Sequence, residues 1–125
     1  MADRGTQIVL VEDDAGMRRA IQRMLEAAGW RVATYDSAEA LIEAGFEIAR
    51  ECDCLVLDIR LPGMSGLNLC RALLAGGPCP PCILITGHDE PGLIDRARSA
   101  GARGYLPKPF TGATLLDAVE HAMAG

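Results

Sequence analysis

Five side chains in this sequence could do chemistry together: Glu12, Asp13, Asp58, Thr86 and Lys108. Asp58 closes the run Cys54-Leu-Val-Leu-Asp58 and is followed by Ile-Arg-Leu-Pro62-Gly-Met-Ser-Gly66. An apolar run bounded by turn signals reads as a strand buried on both faces. Asp58 then stands at the carboxyl end of that strand, where open α/β sheets bind ligands. Glu12 and Asp13 follow a second such run, Gln7-Ile-Val-Leu-Val11, Thr86 ends a third, and Lys108 follows Gly104-Tyr-Leu106. Each residue has an ordinary alternative: a strand-terminating aspartate, a solvated acidic turn, a strand-end hydroxyl, a surface ammonium. Convergence of all five on one sheet edge argues against coincidence.

The chemistry follows from the charges. Carboxylates packed together repel and raise one another's pKa unless positive charge intervenes. A hard divalent cation with oxygen ligands meets that need, and Mg²⁺ typically takes one or two carboxylates with waters and a phosphate. Lys108 is the one lysine in a chain with eleven arginines. A flexible point-charge ammonium is not interchangeable with a planar guanidinium, which marks Lys108 as functional and suits it to a phosphoryl oxygen. An aspartate between a metal and an ammonium is placed to attack a phosphoryl group and form an acyl phosphate.

The elements that must position these groups alternate. Strands are expected at 7–11, 30–34, 53–58, 82–86 and 104–106. Helices are expected at about 15–28, 38–49, 67–75, 91–100 and from 112 onward. The first carries Met17, Ile21, Met24, Leu25 and Ala28 at helical spacing and is closed by Gly29; the last carries Leu115, Leu116, Val119, Ala122 and Met123. Ser37 and Thr111 are expected N-caps, and Pro91 is expected in the first turn of the fourth helix, with Leu93, Ile94, Ala97 and Ala100 inward and Gly101 closing it. Alternating strands and helices imply right-handed crossovers and a parallel sheet covered on both faces, a three-layer α/β domain over 1–125.

Bulk properties narrow the classes. A chain of 125 residues is one domain, and its net charge of −5 argues against direct nucleic-acid binding, which needs clustered Lys and Arg. No stretch reaches the length of a membrane span, and no charged-then-apolar leader opens the chain, so a soluble, cytoplasmic protein is expected.

Over essentially its whole length the sequence resembles the receiver domains of bacterial two-component response regulators. The motifs are Ile8-Val-Leu-Val-Glu-Asp13, Leu57-Asp-Ile-Arg-Leu-Pro-Gly-Met-Ser-Gly66, Ile83-Leu-Ile-Thr-Gly-His88 and Ala100-Gly-Ala-Arg-Gly-Tyr-Leu-Pro-Lys-Pro-Phe110. The resemblance implies a doubly wound, flavodoxin-like fold with strand order 2-1-3-4-5 and five helices. It implies that Asp58 accepts a phosphoryl group from a sensor histidine kinase, a histidine phosphotransfer protein or a small acyl phosphate. It assigns Mg²⁺ (or Mn²⁺) to Asp13, Asp58, Glu12 and the backbone carbonyl of Arg60, with Asp14 one place beyond the acidic pair. Thr86 and Tyr105 become the switch pair, Gly87 leaves room for the phosphoryl group, and Arg60 and His88 tune its lifetime. The Lys108-Pro109 peptide is expected cis. The surface of the fourth helix, fifth strand and fifth helix would then bind or release a partner, a second copy of the chain being one candidate and a missing output domain another.

Two other readings use the same residues. A metal-dependent phosphohydrolase working through an aspartyl phosphate usually has a general acid two residues after the nucleophile, where this chain has Arg60. A degenerate receiver would bind partners without phosphorylation, although it need not keep Glu12, Asp13, Asp58, Thr86 and Lys108. The cysteines stand apart. Cys52, Cys54, Cys79 and Cys82 fall at the starts of the third and fourth strands, opposite Asp58, and Cys79-Pro-Pro-Cys82 has redox or zinc spacing. Free cysteine is also a common core residue.

Overall fold

The computed structural model describes residues 5–87 and 91–124. The apolar runs form five strands, β1 (Gln7–Val11), β2 (Arg31–Tyr35), β3 (Cys54–Asp58), β4 (Cys82–Thr86) and β5 (Gly104–Pro107), in one parallel sheet of order β2-β1-β3-β4-β5. Every residue of β3 and β4 is buried, as strands covered on both faces require. The register aligns the carboxyl ends: Val11 pairs with Leu57, Asp58 with Ile85, and Thr86 with Pro107. Glu12, Asp58, Thr86 and Lys108 therefore leave the sheet along one edge.

Six helices complete the chain: α1 (Ala15–Ala27), α2 (Ala38–Ala44), α3 (Phe46–Glu51), α4 (Gly66–Ala75), α5 (Leu93–Ser99) and α6 (Gly112–Ala124). Alternate strand residues feed two cores. On one face Val9, Leu55, Leu57 and Leu84 pack with Leu41, Ala49, Leu73 and Ala97 from α2 to α5. On the other, Leu10, Val56, Ile83 and Ile85 pack with Ile21 and Leu25 of α1 and Leu115 and Val119 of α6. Side-chain oxygens cap four helices: Asp14 accepts from the Met17 amide at 3.0 Å, Ser37 from Ala40 at 3.0 Å, Ser65 from Asn68 at 3.1 Å and Thr111 from Thr114 at 3.1 Å. Each satisfies an amide that the helix itself leaves open.

Three local expectations are corrected. The helix expected over 38–49 is two helices, because Gly45 adopts φ of 119° and returns its amide to the Leu41 and Ile42 carbonyls, ending α2 before α3 begins. The count is thus six rather than five, and the expected fourth and fifth helices are α5 and α6. Pro91 lies in the turn before α5 rather than in its first turn, because Gly92 holds a left-handed φ of 80° that no helical residue takes. Ile94 was expected inward but is 46% exposed. Leu93 and Ala97, four apart, define the short buried stripe of α5, and Ile94 is turned about 100° from it. Among the described residues, no helix is long and apolar enough to cross a membrane.

Candidate functional site

Beyond β1, Glu12 turns back under the sheet edge and is 1% exposed, while Asp13 faces solvent. The turn is fixed from both sides. The Asp14 amide donates to Glu12 Oε2 at 3.1 Å, and the Arg18 guanidinium reaches back from α1 to the Glu12 and Asp13 carbonyls at 2.8 and 3.5 Å. Asp14 serves as the N-cap of α1, which holds its carboxyl below the usual range, chiefly through the Met17 amide.

Asp58 ends β3 at 4% exposure. Its Oδ1 accepts the Arg60 amide at 3.0 Å, and its Oδ2 accepts from Lys108 Nζ at 3.0 Å. The same ammonium donates to Glu12 Oε1 at 3.1 Å, so one lysine bridges the two buried carboxylates. Lys108 is placed by its own backbone: its amide donates to the Thr86 carbonyl at 2.7 Å, and the Lys108–Pro109 peptide is cis. Two glycines shape the approaches. A side chain at Gly66 would collide with the Asp58 carbonyl, and one at Gly87 would stand 3.8 Å from the Lys108 side chain.

The electrostatics show an excess of negative charge. Burial, reinforced by the hydrogen bond and charge of Asp58, pushes the Glu12 carboxyl up to about 7 against the pull of Lys108. Burial alone would lower the Lys108 ammonium, but Asp58 and Glu12 outweigh it and hold it above its ordinary value. One ammonium thus bridges two of three clustered carboxylates. Among the described residues, Glu12, Asp13 and Asp58 are the one group of acidic, His or Cys donors close enough to share an ion, with oxygens within 4.8 Å of one another. An all-oxygen donor set carrying surplus charge fits a hard divalent cation.

The other expected residues divide. Thr86 is 1% exposed at the end of β4, beside the backbone that carries Lys108. Tyr105 is half-buried and packs on the core face of Leu57 and Leu84. Arg60 is exposed, and His88 lies outside the described residues. The cysteines do not gather as one group: Cys54 faces the core of α1 and α6, whereas Cys52 and Cys82 face the opposite one. Cys70, which spacing did not single out, lies in the same core as Cys52 and Cys82, and its place on the apolar stripe of α4 was the available signal. Also missed was Glu39, whose carboxylate accepts the Met64 amide at 2.9 Å and ties α2 to the loop after Asp58. A contact across 25 residues leaves no local pattern.

Residues 8–120 match the family model of the response regulator receiver domain. The chain is 39% identical over 125 residues to the C4-dicarboxylate transport transcriptional regulatory protein DctD of Pseudomonas aeruginosa, covering 97% of this chain and 26% of that protein. It is 36% identical over 114 residues to the transcriptional regulatory protein FixJ of Azorhizobium caulinodans, covering 91% of this chain and 53% of that one. The chain thus spans from a quarter to about half the length of these curated relatives. The solved BeF3-activated DrrB receiver domain superposes with a TM-score of 0.85 at 26% identity, covering 97% of this chain and 99% of that one. With the sheet order and the carboxylate cluster already in place, these matches settle the family: the chain belongs to the receiver domains of two-component response regulators.

Proposed function

We propose that this chain is a phosphorylation switch in which Asp58 accepts a phosphoryl group and Lys108, Thr86 and Tyr105 convert that event into a change of surface. The observation that carries the reading is the Lys108 bridge, 3.0 Å to Asp58 and 3.1 Å to Glu12, at the carboxyl end of a buried strand. In it a nucleophilic oxygen, a positive charge and an acidic cluster share one site.

The residues act as follows. The Arg60 amide fixes one oxygen of Asp58 and so orients the carboxylate for in-line attack on phosphorus. As the new oxygen–phosphorus bond forms, the bond to the donor's imidazole nitrogen or acyl oxygen breaks, and the leaving group takes the electron pair. Lys108 is already beside Asp58 Oδ2, where it can pair with a phosphoryl oxygen as charge arrives. Glu12, Asp13, Asp58 and the Arg60 carbonyl would hold Mg²⁺ or Mn²⁺, which supplies the positive charge that three carboxylates and an incoming phosphoryl group demand. Arg60 stands two residues after Asp58, where a metal-dependent phosphohydrolase usually carries its general acid, which disfavours turnover as one. With His88 it would set how long the phosphoryl group survives.

The output follows from position. The Thr86 hydroxyl, buried at the end of the strand next to that of Asp58, would follow the phosphoryl group, and its backbone carbonyl accepts from the Lys108 amide. Tyr105 lies between two shallow grooves, one walled by Ile94, Ala97 and Arg98 of α5, the other by Thr114, Asp117 and His121 of α6. Movement of its ring would remodel both, giving a surface for an output module or a second copy. The donor would be a sensor histidine kinase or histidine phosphotransfer protein, in a cytoplasmic setting with which five free thiols agree. The output is expected to be regulatory, as the names of DctD and FixJ indicate for those proteins, with any DNA contact made outside these residues.

The test is intact mass after incubation with acetyl phosphate, with and without Mg²⁺, beside Asp58→Asn. An adduct of one phosphoryl group that needs both Mg²⁺ and Asp58 is the expected result. No adduct from acetyl phosphate or from a histidine kinase would leave a phosphorylation-independent binding module.

A further inference from the structure

The loop that follows Asp58, residues 59–65, lies between β3 and α4 and is closed at its base. The Ile59 amide donates to the Ile85 carbonyl at 2.8 Å, and the Gly66 amide returns to the Ile59 carbonyl at 3.1 Å. Within that closure Asp58 Oδ1 holds the Arg60 amide at 3.0 Å. The tip of the loop is held from another element: Glu39, in the first turn of α2, accepts the Met64 amide on Oε2 at 2.9 Å. The carboxylate lies across the Cα of Gly63, where a side chain would run into it, and Gly63 takes a left-handed φ of 77°.

Three features suit this contact to placing a backbone. Glu39 is exposed, yet the Met64 amide keeps its carboxyl below the usual range, so it is charged at neutral pH and makes the stronger, charge-assisted kind of hydrogen bond. The segment between the two held amides is stiff. The ring of Pro62 locks its own φ and restricts Leu61 before it to extended backbone, and Leu61 is itself buried. A shift at Met64 is therefore passed on to Arg60 instead of being absorbed on the way. The start of α2 also lies at the right end of the sheet, because Tyr35, which ends β2, pairs with Val11, and Val11 pairs with Leu57 beside Asp58.

We infer that Glu39 is a positioning residue for the cation site, on the proposed reading that Glu12, Asp13, Asp58 and the Arg60 carbonyl hold the ion. By latching the Gly63–Met64 peptide to α2, it sets where the Arg60 carbonyl stands relative to Asp58. Glu39 lies outside the group of carboxylates close enough to share the ion, so it acts through the backbone. What matters at position 39 is then an acceptor for the Met64 amide rather than a negative charge. Glu43, one turn further along α2 and also exposed, carries the same charge without that hydrogen bond and supplies the control.

The experiment titrates Mg²⁺ into the full chain and its variants by calorimetry and follows the Met64 amide proton by NMR, with circular dichroism to show that each variant is folded. Glu39→Ala should weaken Mg²⁺ binding about tenfold, the scale on which groups that orient a metal ligand act. Its Met64 amide proton should move upfield as the hydrogen bond is lost. Glu39→Gln, whose amide oxygen still accepts from Met64, should recover most of the affinity, and Glu43→Gln should leave it unchanged. Native affinity in Glu39→Ala would overturn the inference. So would equal weakening in Glu39→Ala and Glu39→Gln, which would reduce the effect to charge. A native chain that takes up no Mg²⁺ would overturn the assignment of the ion's ligands itself, and the inference with it.

Discussion

The same sheet buries reactive groups at both ends and gives them different partners. At the carboxyl end Glu12 and Asp58 are 1% and 4% exposed, yet an ammonium bridges them and a backbone amide holds Asp58. At the amino end Cys52, Cys54 and Cys82 are as deeply buried, and burial lifts the Cys52 and Cys54 thiols so that they stay neutral. Burial is common to both ends; a counter-charge within reach is not. A buried group that has a partner can carry charge, and one without a partner gives it up. The carboxyl end is therefore built to receive more positive charge.

Variants that invert this contrast have graded consequences. The largest is expected from Asp58→Asn, which keeps the shape of the side chain and removes its charge: phosphoryl uptake from acetyl phosphate should fall to background while circular dichroism is unchanged. Gly66→Ala attacks the same residue through its backbone, because the added methyl collides with the Asp58 carbonyl. It should cost about 2–4 kcal/mol in urea unfolding and weaken phosphorylation as well.

Glu12→Gln tests the surplus charge. A carboxyl held up at about 7 when folded and at 4.5 when unfolded binds more protons in the native state between those values. Its contribution to stability is thus present below about pH 4.5 and lost as pH rises through about 7. The metal-free protein should lose stability across that window, and Glu12→Gln should flatten the slope and be about 1–2 kcal/mol more stable at about pH 8. Mg²⁺ should then stabilise the native chain more than the variant. The smallest effects concern the thiols. Cys54→Ser leaves a hydroxyl in an apolar core and should cost about 1–3 kcal/mol, whereas Cys79→Ser, at a partly exposed position, should fall within about 0.5 kcal/mol of the native chain.

The contrast also explains what could be read from residues in order. Strand ends were legible because an apolar run that stops on Asp58 or Thr86 carries its own boundary, and a parallel sheet brings such boundaries together. The lone lysine marked Lys108 by composition alone. Gly45 was a visible interruption, but periodicity across 38–49 continues through it, and its left-handed φ is a property of the folded backbone. Ile94 satisfied helical spacing as well as Leu93 did, and the length of α5 decided between them. Glu39, Arg18 and the Cys70 hydrogen bond to Ala100 depend on how α2, α1 and α4 lie on the sheet, which no local pattern encodes.

The most direct test is to identify which carboxylate takes the phosphoryl group. After reaction with acetyl phosphate and Mg²⁺, borohydride reduces an acyl phosphate to the corresponding alcohol, and peptide sequencing by mass then locates the reduced side chain. Reduction at position 58 alone, with Glu12 and Asp13 intact, is the predicted result. Reduction at 12 or 13, or at no carboxyl group in a chain that has gained phosphate, would contradict the account.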